Sequence, residues 1–341
     1  MKPKKIILVV CGILLVIGGI LAWQFYKTFF RPNIATQETH IYIETGSDFE
    51  KLIENFEENN VVRDIQSFRK AAQYMEFTNV KAGRYKIEPD FGNRELIQKI
   101  RLGIQDPLNV RFDNLRLPEQ LAGSLAKQLE PDSLEFLELF KDPELAKKHG
   151  FDEENFFNMF IPNTYEFYWN TSAEAFVERM HKEYERFWND SRMKKAEELG
   201  MTPNEVSILA SIVKGEALHN VEMPKIAGLY INRLRKGILL QADPTVIFAH
   251  KDFSIRRVLY KHLTLDSPYN TYKYAGLPPG PIMMPSIQAI DAVLNYESHD
   301  YIYMCAKDDF SGYHNFAKTA AEHAVNARKF QQALNARNIM K

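Results

Sequence analysis

The sequence predicts an α+β protein built from an N-terminal transmembrane helix, a small α+β module, and a mainly helical region that carries a short hairpin. Three observations predict it. Ile6 to Trp23 is an uncharged, almost wholly apolar run. Residues 40–105 switch between the two-residue and 3.6-residue hydrophobic periods of strands and helices. Beyond residue 200, apolar residues recur at helical spacing behind recognisable helix starts.

The apolar run comes first. As a helix its 18 residues span about 27 Å, close to the roughly 30 Å of a bilayer's hydrocarbon core. Lys2, Lys4 and Lys5 precede it, Lys27 and Arg31 follow it, and Trp23 and Tyr26 suit the membrane interface. The expectation is an anchor over residues 1–27 with a cytoplasmic N-terminus in the inner (cytoplasmic) membrane, and the rest of the chain outside. A cleaved signal peptide fits less well, because no small-residue cleavage pattern follows Ala22 and the run exceeds a typical signal core.

Residues 28–39 read as a polar tether, and residues 40–105 as the small module. Within it His40 to Glu44 alternates as a strand, and Asp48 to Asn59 places Phe49, Leu52, Ile53 and Phe56 on one helical side. Ile65 to Met75 repeats that period, Lys81 to Ile87 reads as a strand entered through a glycine turn, and Asn93 to Leu102 is a further helix. Residues 106–341 form the larger region. Its first part, 106–198, has a strand from Val110 to Leu115, helices through about Phe140, an aromatic stretch from Phe160 to Tyr168, and a long charged helix over 174–198. Its second part, 199–341, is a helical unit with a hairpin near its end.

Composition bounds the function. With 341 residues the chain should hold about two domains. A formal net charge of -1 offers no electrostatic argument for nucleic acid. The only cysteines are Cys11 and Cys305; the position of Cys11 in the apolar run argues against an intramolecular disulfide, and two cysteines exclude a cysteine-rich zinc site.

The most informative helix starts at Thr202-Pro203-Asn204-Glu205, a capping box with proline in the first turn. Val206, Leu209, Ala210, Val213 and Ala217 define its buried stripe, and Glu216 falls on the stripe's edge beside Leu209 and Ile212. Partial desolvation there raises a carboxyl pKa and suits a general acid. The plainer reading pairs Glu216 with Arg233 or Lys214. Gly215 carries a propensity cost of about 1 kcal/mol, which a substrate or backbone passing close by would explain. Pro224 opens the next helix and Gly237 ends it, with Arg233 inside its apolar stripe, so Arg233 must meet a carboxylate or a polar cleft. Gln241-Ala-Asp-Pro-Thr245 reads as a turn-rich loop, and Gly276 to Ile282 as a stiff one.

These residues carry a resemblance. Ile208 to Ala217, Ile226 to Leu234, Leu240 to Val246, Tyr269-Asn-Thr-Tyr272, Gly276 to Pro281, His314-Asn-Phe316 and Glu322-His323 resemble, in this order, the YceG-like family of endolytic murein transglycosylases. The resemblance implies a LysM-like module over 40–105, a YceG-like, lysozyme-like catalytic core, and cleavage of peptidoglycan between N-acetylmuramic acid and N-acetylglucosamine to leave 1,6-anhydro ends. It places the catalytic glutamate at Glu216. It maps motif positions onto Asn232, Arg233, Gln241, Asp243, Tyr269, Asn270 and Thr271 as substrate-groove residues, with His314 lining the cleft or anchoring the hairpin. It implies glycan strands as substrate, wall-synthesis enzymes as neighbours, and no cofactor. Lys214-Gly215 departs from members that carry an acidic residue and a lysine there, which leaves Glu216 the only carboxylate in that motif.

Two rival readings stand beside it. A metal hydrolase would draw on His314, Glu322 and His323, but Thr319 to Glu322 is itself a capping box, and adjacent Glu322 and His323 cannot share a site on a regular helix. A non-enzymatic wall-binding scaffold would need no acid at Glu216.

Overall fold

The computed structural model describes residues 3–337. The chain divides into two compact units, one made of Met1–Val110, Gln128–Pro131 and Tyr165–Ser172, the other of Arg111–Lys127, Asp132–Thr164 and Ala173–Lys341. Both mix helices with small two-stranded ladders, a helix-rich α+β architecture.

The first unit begins with helix α1 (Pro3–Phe29). Its Lys4–Phe29 stretch holds an 18-residue window of mean hydropathy 2.9 and is long and apolar enough to cross a membrane. Its apolar side chains are exposed all round, as suits a helix whose partner is lipid. Residues 28–39, expected as a tether, are in fact fastened to the body of the module. Asn33 is 6% exposed; its amide donates to Asn93 Oδ1 (2.8 Å) and Asp64 O (3.0 Å), and its Oδ1 accepts from the Asp64 N–H (2.9 Å). Asn93 in turn donates to Thr28 O (2.8 Å) and Ser67 Oγ (3.1 Å). Ile34 bridges to Val62.

Strand β1 (His40–Ile43) then pairs antiparallel with β2 (Gly83–Lys86), Ile41 opposite Tyr85. Between them lie α2 (Phe49–Glu58) and α3 (Ile65–Tyr74), and α4 (Asn93–Leu102) comes after β2. This is the strand–helix–helix–strand–helix order read from the sequence. Asp48 and Asp64 start the two middle helices by accepting the N–H of Lys51 and Ser67, each at 2.9 Å. The face of Leu52, Ile53 and Phe56 closes on Phe68, Leu96 and Ile97, as the periodicity required.

Strand β3 (Leu108–Phe112) pairs with β4 (Asn163–Phe167), where the chain passes between units. β3 lies earlier than Val110–Leu115 because Asn114 takes a left-handed conformation (φ 56°) and ends the extended run. The second unit continues with α5 (Pro118–Leu125), α6 (Ser133–Phe140) and α7 (Pro143–Lys148). The single helix expected over 174–198 is two, α8 (Ala173–Phe187) and α9 (Asp190–Leu199). Asn189 separates them as an N-cap, its Oδ1 accepting from the Arg192 N–H (3.1 Å).

Helix α10 (Pro203–Glu216) opens on the expected capping box: Thr202 Oγ1 accepts from the Glu205 N–H, and Glu205 accepts from the Thr202 N–H. It is buried on every face from Val206 to Val213, not along a single stripe, because α11 (Met223–Arg235), α12 (Asp243–His250) and, after the short α13 (Tyr260–Leu263), α14 (Ile287–Leu294) surround it. Ser211 ties it to the stiff loop, accepting the Ile282 N–H at 3.1 Å. The expected hairpin is β5 (Tyr303–Ala306) with β6 (His314–Ala317), and α15 (Ala320–Ala336) comes last. Thr319 caps α15 by accepting the Glu322 N–H, but Glu322 returns its bond to the Lys318 N–H instead of to Thr319.

Candidate active site

Glu216 is the last residue of α10 and stands on the wall of a cleft of about 570 Å³ in the second unit. Arg233, Gln241, Asp243 and His314 line the same cleft, so five of the nine positions singled out in the sequence meet there. Tyr230, Tyr272, Tyr303, Cys305 and His323 complete much of the lining.

Packing explains why Glu216 and Asp243 share this space. A Cβ on Gly215 would lie 2.9 Å from Pro244 Cβ, closer than ordinary contact permits. The close approach that the sequence suggested at Gly215 is therefore made by Pro244, and it draws the start of α12 onto the end of α10. The Gln241-to-Thr245 segment is a left-handed Gln241 (φ 51°) followed by the first turn of α12, not an open loop. Proline in that turn hid the helix, although it is a favoured first-turn residue.

Burial raises the Glu216 pKa to about 7, and the charge of Asp243 adds to the rise, while the hydrogen bond donated by Tyr230 OH to Oε1 (2.9 Å) opposes it. Part of the residue touches the cleft, yet its carboxyl is surrounded by protein, and the desolvation follows from that. A helix C-terminus also disfavours negative charge. The bland pairing does not occur: Tyr230, not Arg233 or Lys214, is the hydrogen-bond partner of Glu216.

Asp243 accepts a 2.6 Å hydrogen bond from Tyr272 OH. Its pKa is raised by burial, which that hydrogen bond opposes. Arg233 is 6% exposed and bonds only neutral oxygens, with Nε to Leu239 O (2.8 Å), one Nη to Ile302 O (2.8 Å) and the other to Gln241 Oε1 (2.6 Å). Of the two outcomes its sequence position required, the polar cleft is the one observed. His323 stacks on Tyr303 at 5.3 Å.

Asn232, Tyr269, Asn270 and Thr271 lie outside the lining and hold its parts. Asn232 donates to His299 O (2.6 Å) and Tyr301 O (3.1 Å), on the approach to β5. Asn270 donates to Leu263 O and Leu265 O and accepts from the Tyr272 N–H. Thr271 Oγ1 accepts from the Ala242 N–H (3.0 Å) and meets Thr245 Oγ1 at 2.8 Å. Tyr269 packs on Phe248, 4.8 Å between rings, and burial pushes its hydroxyl up to about 12. Asn270 and Thr271 thus set the positions of Tyr272 and Asp243.

Tyr230 and Tyr272 were missed as site residues, and Glu222 was considered only as a second carboxylate, not as a partner of His314. Tyr272 closes the Tyr269-to-Tyr272 motif, and Tyr230 lies one turn from Arg233 on α11, so both carried a local signal. Glu222 did not: it meets His314 across 92 residues of chain. Among the described residues no three His, Cys, Asp or Glu side chains form a group suited to a metal ion.

Comparison with known proteins bears on the whole chain. The YceG-like family profile matches residues 41–329. An endolytic murein transglycosylase of Bacillus subtilis is 30% identical over 344 aligned residues, covering 94% of this chain and 92% of that protein. One of Streptococcus pneumoniae is 26% identical over 92% of this chain, which spans 62% of its length. A crystal structure of a yceG-like protein from Listeria monocytogenes superposes with a TM-score of 0.57 at 28% identity, covering 84% of this chain and 97% of the other. With the fold, the order of motifs and the family match in agreement, this chain belongs to the YceG-like family.

Proposed function

We propose that this chain is a membrane-anchored endolytic murein transglycosylase that cleaves peptidoglycan glycan strands with Glu216 as its acid/base catalyst. The observation that carries the reading is a glutamate with its pKa raised to about 7 in a cleft of polar and aromatic side chains, within a chain matched over nearly its whole length by relatives of that name. Protonated Glu216 gives its proton to the departing glycosidic oxygen between N-acetylmuramic acid and N-acetylglucosamine. The muramoyl C6 hydroxyl attacks C1, so one carboxyl suffices where a hydrolase uses two. The Glu216 carboxylate left by the first transfer is one base for the hydroxyl proton. Arg233, Gln241, Asp243, Tyr272 and His314 form the wall against which the sugars lie.

The chain order of residues 40–105 supports a LysM-like reading of that module, with 106–341 as the catalytic region and 199–341 as its core. Lys2, Lys4 and Lys5 ahead of the apolar run support a cytoplasmic N-terminus and a catalytic region outside the membrane, beside the wall-synthesis enzymes. The full chain in detergent, incubated with purified uncrosslinked glycan strands, should yield 1,6-anhydro ends by mass spectrometry, and Glu216→Gln should yield none. Reducing ends would mean that water is the nucleophile. No cleavage of verified substrate would leave the scaffold reading.

A further inference from the structure

Glu222 and His314 are the one close carboxylate–imidazole pair on this cleft that the mechanism above does not use. Glu222 comes after α10 in a short turn before α11, and His314 opens β6. Their side chains keep only 7% and 14% of their surface, and His314 lines the cleft with Glu216. Glu222 Oε2 lies 2.8 Å from His314 Nδ1, and Oε1 accepts the His314 backbone N–H at 2.9 Å. A carboxylate can only accept, so Nδ1 carries the ring proton. In the neutral ring Nε2 is then the lone pair, and among the described residues nothing bonds it.

We propose that His314, oriented by Glu222, is a second proton-transfer group of the reaction: Nε2 takes the proton of the C6 hydroxyl as that oxygen attacks C1. The inference rests on the transglycosylase reading. The C1–O4 bond breaks, its electron pair leaves on O4, and O4 takes the proton of Glu216. The O6–C1 bond forms, and the O6 proton passes to His314. The enzyme ends with a Glu216 carboxylate and a His314 imidazolium, its proton count unchanged, and exchange with solvent in the cleft resets both. A separate base lets the hydroxyl be activated while Glu216 is still the acid. His314 is thereby a catalytic residue and Glu222 a positioning residue, which works by fixing the tautomer.

Glu222 also pins the start of β6, so the test must separate catalysis from folding. With the full chain and uncrosslinked strands, His314→Gln should lower kcat by about 100-fold or more with little change in KM and an unchanged melting temperature. Glu222→Gln keeps an oxygen for the backbone N–H but turns an amide N–H toward Nδ1, reversing the tautomer, so a comparable loss in kcat is expected. Added imidazole should restore anhydro-end formation to His314→Gly and leave Glu216→Gln inactive. Wild-type kcat in folded His314→Gln, or in Glu222→Gln, overturns the proposal and leaves the transglycosylase reading intact. Absence of anhydro ends from the unmodified protein overturns both. If His314→Gln fails to fold, Glu222→Gln decides.

Discussion

At the scale of single residues, the role proposed for Glu216 predicts the working pH. A general acid must hold its proton, so kcat/KM should fall about tenfold per pH unit above about pH 7, where Glu216 ionises. Asp243 contributes part of that raised value through its charge. Removing the charge makes ionisation of Glu216 easier, so in Asp243→Asn the alkaline fall should begin at lower pH. A pH–rate profile whose alkaline limb stays in place would show that the two carboxyls do not interact. Glu216 stood out in the sequence only together with the motifs that follow it, because its helical spacing alone fitted a pairing with Arg233 or Lys214 as well. Its partners were less legible. The choice of Tyr269 over Tyr272 could not be made from four adjacent residues, since only the loop's backbone bonds decide which ring turns toward Asp243. The Glu222–His314 contact joins residues 92 apart and leaves no local trace.

At the scale of elements, local chemistry was readable and crowding was not. The Thr202–Glu205 box and the aspartates that start α2 and α3 act within one turn, so they appear in the sequence as they do in the fold. The break between α8 and α9 depends on Asn189 capping a new helix in a stretch whose charges favour continuation. The burial of α10 on all sides depends on three neighbours that periodicity cannot count. Its tightest seam is Gly215 against Pro244. Gly215→Ala places a methyl 2.9 Å from Pro244 Cβ, and α12 must shift to admit it. The gain in helix propensity, about 1 kcal/mol, should be outweighed by overpacking of roughly 1–3 kcal/mol. Denaturant unfolding should therefore show net destabilisation, and kcat should drop as Asp243 moves away from Glu216. A Gly215→Ala variant as stable and as active as the original would mean that the seam is slack.

At the scale of the whole molecule, the chain forms two compact units, and the boundary after the apolar helix is not a free linker. Asn33 and Asn93 lock each other with Thr28, Asp64 and Ser67, so the end of α1 belongs to the module's own network. Asn33 did not announce this in the sequence, because a polar residue after an apolar run is the ordinary mark of a tether. Asn93→Ala strips three hydrogen bonds and leaves buried partners unsatisfied, at an expected cost of about 1–3 kcal/mol. Limited proteolysis should then cut within residues 28–36, and persistent resistance there would show that Asn93 is dispensable. In mechanical terms the joint is a clamp, not a swivel. With α1 seated in a bilayer, any lean of the helix is handed directly to the module, and the lipid thickness that sets that lean becomes a control on which way the module faces.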